Sequence, residues 1–164
     1  MQRFFVLCAI FLTVMLSMPD AHAEADDNLT ENTGRNAALL PFNDVVIVAA
    51  DSLDAAQKTH DAIVKGAQAR KWQVTQNTPA AVRLHLNVRN KHFVTVDTKI
   101  KGGNVDIVYV DSKNMNYEKL SSGQEIIHPK YNSWVKYLLK SARAAAKKAG
   151  ASASGEADSP EPGN

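Results

Sequence analysis

Cysteine is all but absent from this 164-residue chain, and the only one is Cys8. It lies in an apolar run expected to be removed, so the mature protein can form no disulfide and offers no thiolate to a metal or a substrate. No apolar stretch reaches the roughly 20 residues that a membrane-spanning helix needs. No G-x-S-x-G elbow surrounds a serine, and no glycine-rich loop opens onto a helix, since the Gly102-Gly103 pair reads as a hairpin turn. Histidines stand singly: His60 on an apolar helix stripe, His85 and His92 on opposite faces of their hairpin, His128 with no second ligand at metal spacing. These absences argue against a metal site, a bound cofactor and covalent catalysis.

What is present at the N-terminus is a processing signal. Arg3 precedes the apolar run Phe4 to Leu16, Pro19 breaks it, and Ala21-His22-Ala23 fits a small-x-small cleavage site before Glu24. Residues 1–23 are read as a signal peptide and the mature protein as periplasmic. Cys8 precedes most of the apolar run, the wrong place for a lipid acceptor. Residues 24–36 (an acidic linker) and 150–164 carry almost nothing to bury and are expected to be disordered, which leaves one domain at 37–149. That domain holds 17 Lys or Arg against 9 Asp or Glu, a surplus of eight that the acidic ends mask in the whole-chain figure of +2. A basic core in such a compartment points to anionic envelope components or acidic protein partners.

The periodicity predicts an α+β two-layer sandwich in the order β-α-β-β-β-α, with an antiparallel meander over about 82–111 and two helices on one face. Asp44 to Ala50 is apolar on both alternating sets, as suits a strand buried on both faces or central in its sheet. Ser52 then caps a helix from Leu53 to about Lys71, with Leu53, Ala56, His60, Ile63 or Val64 and Ala67 inward. Trp72-Gln73-Val74 is a short strand interrupted near Thr78-Pro79. In the meander Val82, Leu84, Leu86 and Val88 face one way. Parity with Val94, Val96 and Ile100 demands a three-residue loop Arg89-Asn90-Lys91, with Asn90 or Lys91 left-handed and Val88 opposite His92. The next apolar set is odd-numbered, so a two-residue turn at Gly102-Gly103 pairs Ile100 with Val105, Thr98 with Ile107, Val96 with Tyr109 and, on the other face, Lys99 with Asp106.

The other sheet face carries Phe93, Val108 and Val110, an apolar area covered either by Leu39 to Phe42 or Met115 to Tyr117, or by a ligand or a second copy of the chain. The last helix starts at Pro129 and buries Tyr131, Trp134, Val135, Leu138, Leu139 and Ala142, with basic residues in its final turns. Packing leaves a polar set unexplained: His128, Asn132 and the run Asp111 to Tyr117. A histidine at a helix start most often caps a backbone amide, and here would clasp the strand exit to the helix.

These residues also carry a resemblance. Y-x-D-S-x-N-x-x-Y from Tyr109 to Tyr117, then IH-x-x-YN-x-W-V-x-x-L from Ile127 to Leu138, together with W-x-V at Trp72 and R-x-K-H at Arg89, resemble a group of small uncharacterised envelope proteins and lipoproteins of Gram-negative bacteria. The likeness spans Val45 to Ser141. It implies no reaction, ligand or cofactor. Members are often tethered by a cysteine at the cleavage site, and its absence here favours a free periplasmic form.

The functional expectation is a non-catalytic binding or interaction module of the cell envelope, using Ser112, Asn114, Tyr117, His128, Tyr131, Asn132 and Trp134 as a rim where polar and aromatic groups converge. The alternative is an assembly partner or homodimer that meets its partner through Phe93, Val108 and Val110 with a basic strip of Arg83, Arg89 and Lys91. Asp111, Ser112 and His128 are the residue types of a hydrolytic triad, which makes a hydrolase the distant third reading. Nucleic acid is an odd partner for a secreted protein.

Overall fold

A computed structural model describes residues 36–155. The signal peptide expected over 1–23, the acidic linker up to residue 35 and the tail from 156 lie outside the described residues. The chain forms an α+β sandwich with two antiparallel sheets and two helices. The larger sheet runs in the order β2 (Phe42–Val46), β6 (Asn104–Lys113), β5 (His92–Lys101), β4 (Ala81–Val88), β3 (Trp72–Thr78), and the smaller in the order β1 (Ala37–Ala38), β8 (Glu125–Ile127), β7 (Glu118–Lys119). The helices are α1 (Ala55–Ala69) and α2 (Lys130–Gly155). Among the described residues no helix is long and apolar enough to cross a membrane.

The meander follows the parity argument. Val88 stands opposite His92, and the turn at Gly102-Gly103 pairs Ile100 with Val105, Thr98 with Ile107 and Val96 with Tyr109. In the first loop Arg89 and Asn90 are left-handed, rather than Asn90 or Lys91 alone. Lys99 does stand opposite Asp106, yet Asp106 takes its ion pair from Lys101 at 2.7 Å and also accepts the Asp44 N–H at 2.9 Å. One residue past Tyr109 the register slips, so that Val94 faces Ser112. This bulge turns Ser112 toward the side of the sheet that carries the core, where it bonds the Tyr109 hydroxyl at 2.9 Å.

Five expectations are corrected. The run Asp44 to Ala50 is not a central strand: β2 lies at the sheet edge, bulges at a left-handed Asp44 and ends at Val46, which is 55 % exposed. Ser52 does not cap α1, whose cap position is a left-handed Asp54 without a side-chain bond, and Leu53 is 84 % exposed. The buried stripe of α1 is Thr59, Ala62, Ile63, Gly66 and Ala67, one residue round from Ala56 and His60. Trp72–Thr78 is a complete strand paired with β4, because Trp72 opposite Leu86 and Val74 opposite Leu84 continue the inward apolar set. Finally, α2 runs through Gly150 to Gly155, past the domain end placed at residue 149, and its last turn holds no basic residue.

The core lies between the inward faces of β4, β5 and β6 and the two helices, with Val82, Leu84, Val94, Val96, Val105, Ile63, Val135 and Leu138 fully buried. Thr98 is buried among them because its hydroxyl both donates to the Val82 carbonyl (3.0 Å) and accepts the Val82 N–H (3.2 Å). The helices meet backbone to backbone: a methyl group on Gly66 would lie 2.5 Å from the Ala142 nitrogen. Thr59 is also fully buried, but its hydroxyl has no hydrogen-bond partner among the described residues.

Gly66→Ala should therefore lose roughly 1–2 kcal/mol in urea unfolding, because overpacking outweighs the gain in helix propensity. Thr59→Val keeps the shape and deletes the lone hydroxyl, and should gain about 1–2 kcal/mol by the same measurement.

Candidate functional site

The residues expected to form a polar rim are mostly occupied by one another and by the backbone. His128 joins β8 to α2. Its main-chain N–H donates to the Met115 carbonyl (2.7 Å), its ring Nδ1 accepts the Lys130 N–H (3.2 Å), and its carbonyl accepts the Tyr131 N–H (3.0 Å). A ring nitrogen that accepts must be unprotonated, so this histidine is a neutral helix cap with its proton on Nε2. Partial burial, followed by the neighbouring His92 and Lys130, holds its pKa below the ordinary imidazole value.

Asn132 serves a backbone as well. Its amide Nδ2 donates to the Ala38 carbonyl (2.8 Å) and its Oδ1 accepts the Leu40 N–H (3.2 Å), extending the pairing that β1 makes with β8. Asn114 is left-handed and donates to the Lys91 carbonyl (2.6 Å), while its own carbonyl accepts from His92 Nδ1 (2.7 Å). The Tyr117 hydroxyl donates to Glu125 (2.7 Å), and its ring stacks on Tyr109 at 4.5 Å. Tyr131 meets the same Tyr109 edge-on, and burial raises its hydroxyl well above the usual phenol range. Ser112 bonds to Tyr109, so the pairing with His128 on which a hydrolytic reading rests is not formed.

One contact was not visible in the sequence: the rings of His92 and His128 lie 5.7 Å apart, with Trp134 at 6.3 Å from His92. The bulged β6 and the loop after it bring the two histidines together. No group of three or more metal-ligating residues forms among the described residues.

The outer sheet face splits up. Phe93 stacks on His85 at 6.0 Å, and Arg83 is held by both oxygens of Asp97 (2.6 and 2.7 Å), whose carboxyl it keeps below the usual range. Arg83 is thus not part of a free basic strip. Val108 and Val110 stay 37 % and 40 % exposed, beside a hollow of 540 Å³ bordered by Leu39, Leu40 and Pro41. Phe42 and Met115, the other expected covers, turn into the core instead.

Two residues from the separate expected sets do meet. Trp134 and Arg89 line a 270 Å³ pocket with Trp72, Tyr137, Arg70 and Lys71. The sequence holds two tryptophans, and both are here. Arg70 is fixed by its bond to Ser141 (2.7 Å) and lies 5.5 Å over the Tyr137 ring. Lys71 and Arg89 have neither a hydrogen bond nor an ion pair from their side chains among the described residues, and no carboxylate lines the pocket. Both also have left-handed backbones, φ 62° and 55°, where glycine or asparagine is the easy choice. Lys71 stands just past the end of α1, the position that glycine usually takes. The hairpin that carries Lys71 and Arg89 and the helix that carries Trp134 and Tyr137 are far apart in sequence, which hid this pocket.

Removing the caps gives distinct signatures. Asn132→Ala should lose about 2 kcal/mol and speed hydrogen exchange at Leu40, since two partly buried backbone groups are left unpaired. For His128 the folded state binds its proton less readily than the unfolded chain. Its contribution is therefore complete above about pH 6.5 and shrinks as the pH falls below that value. His128→Ala should lose about 1 kcal/mol at pH 8 and flatten the fall in stability between pH 6.5 and 5.

No protein-family model, curated protein or solved structure matches this chain.

Proposed function

We propose that the protein is a non-catalytic binding module of the bacterial cell envelope, and that its ligand is an anionic molecule with a flat or apolar ring face. The observation that carries this is the 270 Å³ pocket: three cationic side chains, no carboxylate, and walls of Trp72, Trp134 and Tyr137. Cations with no internal partner favour a negatively charged guest, and aromatic walls favour one that can stack. The periplasmic assignment rests on the leader-like residues 1–23 and on the resemblance to envelope proteins. In this reading Trp134 is kept from the expected rim, whereas His128 and Asn132 support the helix that presents it.

A second reading, an assembly partner or a homodimer, is favoured by the exposed Val108 and Val110 on the face away from the helices. The mass of the mature protein in solution separates a dimer from a monomer.

Because both tryptophans line the pocket, titration with acidic and neutral forms of one disaccharide can be followed by intrinsic fluorescence. A saturable change with the uronate form and none with its neutral counterpart is expected. Lys71→Gly and Arg89→Gly should each weaken binding about tenfold or more while leaving stability unchanged or up to about 1 kcal/mol higher, because each removes a left-handed side chain. Equal binding by wild type and both variants would count against the pocket.

A further inference from the structure

We propose that the protein has a second binding site, separate from the aromatic pocket, for a single-chain anionic amphiphile of the alkyl phosphate kind. It is a 630 Å³ cleft between the part of α1 that precedes Gly66, the second half of α2 and the loop that follows β2.

The cleft opens to one side of the Gly66–Ala142 contact. From α1 it takes residues before Gly66, and from α2 residues after Ala142. Its floor is apolar: Ile47 and Ala62 belong to the buried core, with Val48 and Ala146 half-buried beside them. The α2 side presents Ala145, Ala146, Ala149 and Gly150, so no long apolar side chain fills the trough. The result is a trough floored by apolar groups, of a kind that a methylene chain can cover.

The rim is cationic. Lys58, Lys65, Arg143 and Lys147 surround the floor, and none of them forms an ion pair among the described residues. Two are held in place by neutral partners: Lys58 donates to the Ser52 hydroxyl (3.0 Å) and Arg143 to the Val46 carbonyl (2.8 Å). The single carboxylate of the lining, Asp61, is engaged by Gln57 (2.9 Å) and His60 (3.1 Å). Four cations against the one carboxylate leave the lining with a surplus of three positive charges, and this complementarity selects an anionic phosphate or carboxylate head.

Neither half of the cleft is satisfied by a simpler guest. A hydrophilic anion would bind the rim and leave the apolar floor wet, and a neutral alkane would desolvate four cations without pairing them. A molecule with an anionic head and one alkyl chain meets both demands.

Calorimetric titration of the mature protein with inorganic, ethyl, butyl, hexyl and octyl phosphate, each below its micelle concentration, tests this. The expected result is one site whose affinity rises about fourfold per added methylene that is fully buried. Lys65→Glu with Lys147→Glu, two exposed positions, should weaken octyl phosphate at least tenfold while the thermal unfolding midpoint is unchanged. Ala146→Leu, which fills the floor, should erase the chain-length dependence and retain phosphate binding at the wild-type level. Tryptophan fluorescence should not respond, because both tryptophans line the other pocket. Equal affinity for inorganic and octyl phosphate overturns the proposal, as does octyl phosphate binding that the double charge reversal leaves intact or that Lys71→Gly abolishes. If acidic sugars also fail to bind, the aromatic pocket falls separately, by its own readout.

Discussion

Where Gly66 meets Ala142 the two helices have nothing but hydrogen between their backbones, and the two hollows that the helices line lie on either side of that contact. On one side Arg70 at the end of α1 faces Tyr137 and Trp134 of α2 across the aromatic pocket. On the other side Lys58 and Lys65 face Arg143 and Lys147 across the cleft. Close-packed helices of unequal side-chain size cannot stay in contact along their length. Large aromatic groups line the opening at one end, and small residues of α2 line it at the other. The sheet beneath, with its fully buried Val82, Leu84, Val94, Val96 and Val105, is the rigid base that keeps both openings in shape.

The polar residues that drew attention in the sequence do a different job. His128 and Asn132 satisfy backbone groups that helix α2 and the short strand β1 would otherwise leave unpaired. They join the small sheet to the helix, and the helix carries Trp134 and Tyr137 into the pocket. A side chain that looks like a ligand group is in this way used as scaffolding, while the cations left without partners stand on helix surfaces, as Lys65 and Lys147 do, or in turns, as Lys71 and Arg89 do.

The hairpins were legible because three signals agreed: apolar parity, turn residues and loop length. Gly102-Gly103 and Arg89-Asn90-Lys91 leave only one register that keeps Leu84, Val96 and Ile107 on one face. Edges were harder to read. Val45 to Val48 has the composition of a central strand, yet left-handed Asp44 and the attachment of Ile47 and Val48 to the Gly103 carbonyl end the strand early. The bond from the Asp44 N–H to the Asp106 carboxylate, 62 positions away, overrides propensity there. The hollows were not legible as such, because each joins residues from distant elements, and only Trp134 and Arg89, both of the aromatic pocket, could be named beforehand. His92 and His128 meet through a one-residue bulge that no periodicity announces.

Asn132 grips the backbone at Ala38 and Leu40, 94 and 92 positions earlier, and Arg143 reaches Val46 across 97. A chain made from its N-terminus onward thus holds its first strand in waiting until α2 has been added. Such ties raise the average sequence distance between contacting residues, which slows folding in small domains. They also mean that the two ends of the domain fasten each other. A molecule cut short before α2 would have neither hollow and no partner for β1 on the helix side, so completeness of the chain is a condition for any binding it performs.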